Sequence, residues 1–116
     1  MQKEHPKIGI VGPCSAGKST LAEELKKRGY PVRHIAQEHS KVPDMWKRLG
    51  DPDLLIYLDV SYQVSMHRRP LNMSAAEFAE QVKRLRNAFG GADLYIHTDE
   101  LGPREVLERV ENYLSE

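Results

Sequence analysis

Nine consecutive residues near the start of the chain, Gly12-Pro13-Cys14-Ser15-Ala16-Gly17-Lys18-Ser19-Thr20, have the types and spacing needed to hold a row of phosphates. They contain the pattern G-x-x-x-x-G-K-[ST]. Glycines at its ends let the backbone curl, so that successive N–H groups point at phosphate oxygens. A helix beginning near Lys18 would aim its positive dipole end at the same place. Lys18 supplies a mobile positive charge for the β and γ phosphates, Ser19 a hydroxyl for Mg²⁺, and Thr20 a contact to the α phosphate. At average residue frequencies the pattern arises by chance in roughly 0.4% of chains this long, so it outweighs any other signal in the sequence. The spacing predicts a nucleoside triphosphate bound together with Mg²⁺.

Two carboxylates are candidates to assist. Glu38, in Gln37-Glu38-His39-Ser40, follows a weak apolar segment. It is placed to activate an acceptor hydroxyl or to hold a water on Mg²⁺, or else is a polar loop residue. Asp59 ends the run Leu54-Leu55-Ile56-Tyr57-Leu58-Asp59, four or more apolar residues and an acid, the pattern of a carboxylate that binds Mg²⁺. Its alternative is a carboxylate that ends a strand or caps a helix. His34 and His39 have no cysteine or third histidine close in sequence, so hydrogen-bonding or surface roles are expected for both. His67 and His97 carry no motif. Trp46 is expected as a core or interface anchor.

These residues need a scaffold, and the hydrophobic pattern supplies one. Lys7 to Gly12 predicts a buried strand, and residues 18–28 a helix with Leu21 and Leu25 on one face. Pro31 to Ala36 is a second, weaker strand. Pro43 to Leu49 predicts a short helix with Met45, Trp46 and Leu49 turned inward. Leu54 to Val60 is the strongest strand, apolar enough to be covered on both faces. Ser61 is a cap for a helix to about Arg69, interrupted at Pro70 and Asn72. Ser74 and Glu77 form a capping-box pattern for a second helix, with Phe78, Val82, Leu85 and Phe89 at helical spacing up to Gly90-Gly91. Asp93 to Thr98 is a last strand, and Pro103 opens a final helix with Val106, Leu107, Val110, Tyr113 and Leu114 as its apolar face. Alternation of this kind predicts an α/β fold, a three-layer α/β/α arrangement around a parallel sheet of about four strands. Right-handed crossovers then gather the strand ends, and any ligand, along one edge.

The 116 residues suit a single domain, with a lid-like helical segment over about 61–90. Lysine plus arginine and aspartate plus glutamate number 17 each, so net charge predicts neither a nucleic-acid nor a membrane partner. A single cysteine, Cys14, forbids an internal disulfide. With the polar start Met1 to Pro6 and the lack of a long apolar run, it predicts a cytoplasmic protein.

Ile8 to Leu25 resembles the opening of the small P-loop kinases, the nucleoside monophosphate kinase and shikimate kinase group of the P-loop NTPases. Asp51 to Ser61 is similar to the strand before the lid of thymidylate kinases, and Ala92 to Pro103 with the final helix is similar to the closing strand and helix of the same group. The resemblance implies an ATP- and Mg²⁺-dependent phosphotransferase acting on a small acceptor such as a nucleoside or nucleotide. It implies that Arg68 and Arg69 are lid arginines over the transferred phosphate, and that Glu38 stands where deoxynucleoside kinases carry a glutamate after a strand. It places the adenine edge near Thr98 to Pro103. Lys83, Arg84 and Arg86 form a second basic cluster. The segment between Ala36 and Leu54 is too short for the acceptor-binding insertion of full-length members. An acceptor site reduced in size, or completed by another subunit of a homo-oligomer, is therefore expected, or else a nucleotide-binding module without phosphotransfer. A guanine-reading Asn-Lys-x-Asp motif is absent, which argues against a GTPase switch.

Overall fold

In the computed structural model, which describes residues 5–69 and 72–115, four short strands pair in parallel in the order β2-β1-β3-β4. The strands are β1 (Ile8–Val11), β2 (Val32–His34), β3 (Leu54–Asp59) and β4 (Leu94–His97). The α-helices are α1 (Lys18–Lys27), α2 (Met45–Gly50), α3 (Tyr62–Arg68), α4 (Ala75–Arg84), α5 (Arg86–Gly91) and α6 (Pro103–Leu114). A single 3₁₀ turn, Gln37–His39, follows β2. The expected interruption at Pro70 lies outside the described residues. No described helix is long and apolar enough to cross a membrane.

β1 and β3 are the central strands, and they are the most apolar for that reason. Ile8 pairs with Leu54 and Val11 with Tyr57, and every residue of β1 is buried. Alternation along the strands sends successive side chains to opposite faces. On one face Ile8, Ile10, Ile56 and Leu58 meet Leu21 and Leu25 of α1 and Val106, Leu107 and Val110 of α6. On the other, Val11, Leu55 and Tyr57 meet Leu85 and Ala88, with Met45 and Trp46 of α2 against them. Burial of such side chains stabilises the fold by about 1.5–3 kcal/mol each.

The helix starts are fixed by the residues expected to fix them. Ser61 Oγ accepts from Val64 N at 3.2 Å. Ser74 and Glu77 close a reciprocal capping box at 3.1 and 2.9 Å. Three details depart from the sequence expectation. The helical segment before β4 breaks at Leu85, so three helices rather than two lie between β3 and β4. The break turns Leu85 and Ala88 onto the sheet, leaving Val82 and Phe89 exposed. Leu49 and Tyr113 are exposed too, whereas Leu114, the next residue of α6, packs against the core.

Candidate functional site

The loop from Gly12 to Thr20 leaves β1 and enters α1 at the carboxyl ends of the central strands. Its shape depends on three positive φ angles, 153° at Gly12, 67° at Ser15 and 98° at Gly17. A Cβ at Gly12 would stand 2.0 Å from the carbonyl oxygen of Leu58, so the loop starts pressed against β3 and tolerates only glycine there. Gly17 is the N-cap of α1 and no side chain caps that helix, so the first-turn N–H groups keep no side-chain acceptor.

Lys18 is buried and folded back over the loop. Its Nζ donates to the carbonyl oxygens of Gly12 at 2.6 Å and Pro13 at 2.9 Å, and to Glu38 Oε2 at 3.0 Å. Glu38 reaches it from the 3₁₀ turn after β2, and both side chains are 5% exposed. Water screens such a pair poorly, and removal of one partner would strand a buried charge. The other carboxylate oxygen of Glu38, Oε1, and the hydroxyl of Ser15 are buried without a hydrogen-bond partner among the described residues.

Three more contacts hold the loop. Gln81 of α4 accepts from Cys14 N at 3.1 Å and donates from Nε2 to Cys14 Sγ at 3.2 Å. Ser65 of α3 donates to Cys14 O at 3.0 Å. Arg68, at the end of α3, donates to Ser15 O at 3.1 Å, to Thr98 Oγ1 at 3.0 Å and to the Thr98 carbonyl. Neither Gln81 nor Ser65 was visible as a site residue in the sequence, since a lone Gln or Ser on a helix carries no motif.

The expected residues divide accordingly. Lys18, Glu38 and Arg68 converge on the loop; Arg69 is exposed just past α3. Ser19 and Thr20 lie exposed in the first turn of α1, with Ser19 Oγ 3.5 Å from His34 Nδ1. Asp59 faces elsewhere. Its Oδ2 accepts from the Tyr95 hydroxyl at 2.5 Å and lies 3.9 Å from His97 Nδ1, while Oδ1 accepts from Val60 N at 2.9 Å. No hydrogen bond among the described residues joins its side chain to the loop. Trp46 packs against the second core face, and its Nε1 donates to Asn87 Oδ1 at 2.9 Å, as an anchor would.

Two clefts open on the surface, and the loop lines one of them. One, of about 270 Å³, runs from the loop along α1 to the start of α6, past Ala16, Thr20, Arg68, Thr98, Leu101 and Pro103. It coincides with the segment expected at an adenine edge. The other, of about 480 Å³, lies between Ser40–Pro43 and α4–α5 and is bordered by Lys41, Lys83, Arg84 and Arg86, with Glu80 as its acid.

Neither the family models nor the curated proteins contain a match to this chain.

Proposed function

We propose that this chain binds the phosphates of a nucleoside triphosphate with Mg²⁺ on the loop Gly12–Thr20, and that it is a minimal P-loop phosphotransferase using ATP on a small acceptor. The observation that carries the proposal is the junction itself. A G-x-x-x-x-G-K-S sequence links a central parallel strand to a helix whose amino end no side chain caps, with its lysine buried against the loop's own carbonyls.

The residues present suit the parts. Lys18 would leave Gly12, Pro13 and Glu38 for the β and γ phosphates, and Arg68 would turn from Thr98 to the transferred group. Ser19 offers a hard oxygen, and Glu38 Oε1 a second one without a partner among the described residues, which fits an Mg²⁺ held partly through water. That ion supplies charge neutralisation at the phosphates. Once Lys18 has moved, Glu38 is the carboxylate next to the phosphates and takes the acceptor's proton. The cleft past Thr98 and Pro103 would receive the base. The basic cleft at Lys41, Lys83, Arg84 and Arg86 would receive an acceptor that carries negative charge.

A second reading has its own support. All three protons of the Lys18 ammonium are already used, and Glu38 neutralises it, so the resting loop is closed on itself. A nucleotide-binding module without phosphotransfer would need nothing more.

The test is calorimetric titration of Mg·ATP into the full chain and into Lys18→Met, followed by ATP consumption across nucleosides, nucleotides, sugars and small acids. The lysine variant is expected to lose at least about tenfold in affinity, the worth of a charge-assisted contact. Equal affinity in the two proteins would refute the phosphate loop. Tight binding with no acceptor raising turnover would leave the second reading standing and reject the first.

A further inference from the structure

Cys14 lies in the phosphate-loop sequence and Glu38 and His39 lie in the turn after β2, yet each offers a ligand atom within 4.8 Å of the other two. Cys14 Sγ is 3.9 Å from His39 Nε2, and that nitrogen is 3.8 Å from Glu38 Oε2. In a tetrahedral zinc site the metal–ligand lengths put neighbouring sulfur, nitrogen and oxygen atoms about 3.4–3.6 Å apart. To close on such an ion, the sulfur–nitrogen and nitrogen–oxygen edges would shorten by about 0.3–0.5 Å, and the sulfur–oxygen edge, which lies within 4.8 Å, by up to about 1.2 Å.

Two further observations point to a ligand. Glu38 is 3% exposed, and its Oε1 is buried with no hydrogen-bond partner among the described residues. Buried carboxylate oxygens rarely go without a partner, so a missing one marks a place for a cation or a donor. Cys14 Sγ also accepts an N–H from Gln81 Nε2 at 3.2 Å, and the oxygen of the same amide holds the Cys14 backbone at 3.1 Å. An outer donor that orients the sulfur is the support that metal-bound thiolates carry.

We propose that Cys14, Glu38 and His39 bind one divalent cation of the zinc class in the nucleotide-free chain, a site that shares Glu38 with the Mg²⁺ proposed for the phosphate loop, so that the two ions exclude one another there. Thiolate, imidazole and carboxylate together are too soft a set for Mg²⁺ and suit Zn²⁺ or Co²⁺. Three protein ligands leave the fourth position for water or a substrate oxygen. The exposed His39 ring gives the ion an entry path, and the Lys18 ammonium on Glu38 Oε2 weakens the carboxylate's hold on it. This site does not depend on phosphotransfer.

The experiment is a Co²⁺ titration of the reduced, full-length chain followed by absorption spectroscopy. Cys14 is the only cysteine, so a sulfur-to-cobalt charge-transfer band reports on it alone. The expected result is one Co²⁺ per chain with that band and the visible bands of four-coordinate cobalt, displaced by equimolar Zn²⁺ and, without nucleotide, untouched by excess Mg²⁺. Cys14→Ser should abolish the charge-transfer band. His39→Ala, at an exposed position that leaves the core intact, should weaken Co²⁺ at least about tenfold, as loss of a ligand does. Should Cys14→Ser fail to fold, His39→Ala decides alone. No Co²⁺ binding, binding without the charge-transfer band, or equal affinity in His39→Ala would overturn the proposal.

Discussion

Glu38 and Asp59 both stand at the carboxyl-terminal edge of one parallel sheet, and the sequence offers both as acids for phosphate chemistry. Packing gives them opposite surroundings. Asp59 is the last residue of β3 and keeps the strand's alternation, so its side chain shares a face with Tyr57 and meets Tyr95 and His97 of the neighbouring strand. Glu38 lies past the end of β2, in a 3₁₀ turn that frees it from strand parity and carries it under the loop to Lys18. A carboxylate still inside a strand points where the sheet sends it. One in a turn can be aimed at a neighbouring loop.

The comparison breaks or holds first on stability. Glu38→Ala would leave the Lys18 ammonium buried and unpaired, and is expected to cost about 3–5 kcal/mol. Asp59→Ala loses contacts on a partly exposed group and is expected to cost about 1 kcal/mol or less. Urea melts of the two variants, with the denaturant slope checked for constancy, measure both. Equal losses would mean that the two acids are equally embedded, against their geometry here.

The layout of the sheet was legible because it rests on local pattern. The buried runs at Ile8–Val11 and Leu54–Asp59, the caps at Ser61 and Ser74, and Pro103 at the start of α6 each announce themselves within a few residues. The loop pattern was equally plain. What escaped depends on tertiary aim. The break at Leu85, which exposes Phe89, follows from the need to lay Ala88 on the sheet, and helical spacing alone extends the helix straight through. Sequence spacing offers His39 no cysteine partner, yet the fold brings Cys14 within 3.9 Å of it. Gln81 grips the loop from 67 residues away, a distance over which spacing says nothing.

A second separation concerns charge without shape. Glu38→Gln keeps an oxygen for Lys18 but removes a negative charge beside the place proposed for the phosphates. Its affinity for ATP without metal is expected to rise about tenfold, a modest share of the Coulomb energy between close charges at a protein surface. Asp59→Asn, farther from the loop by its contacts, is expected to leave that affinity unchanged. Competition against a fluorescent nucleotide reads both values. A gain in Asp59→Asn with none in Glu38→Gln would exchange the two acids' places.

The smallest effect tests the aim of Asp59 itself. The Tyr95 phenol is pushed up to about 12, first by its partial removal from water, then by the hydrogen bond it gives Asp59 and by the charges of Asp59 and Asp99. The sign follows from linkage. A group that holds its proton more tightly when folded contributes stability that is complete below its ordinary value of 10 and is lost as pH rises through about 12. In ultraviolet titration of tyrosinate, the component that vanishes in Tyr95→Phe should therefore have its midpoint near 12 in the native chain. In Asp59→Asn the same component should move down toward 10, since charge repulsion goes while the partial burial of the ring stays. An unmoved midpoint would mean that Asp59 does not hold the Tyr95 hydroxyl, and its carboxylate would then be free to serve the loop beside Glu38.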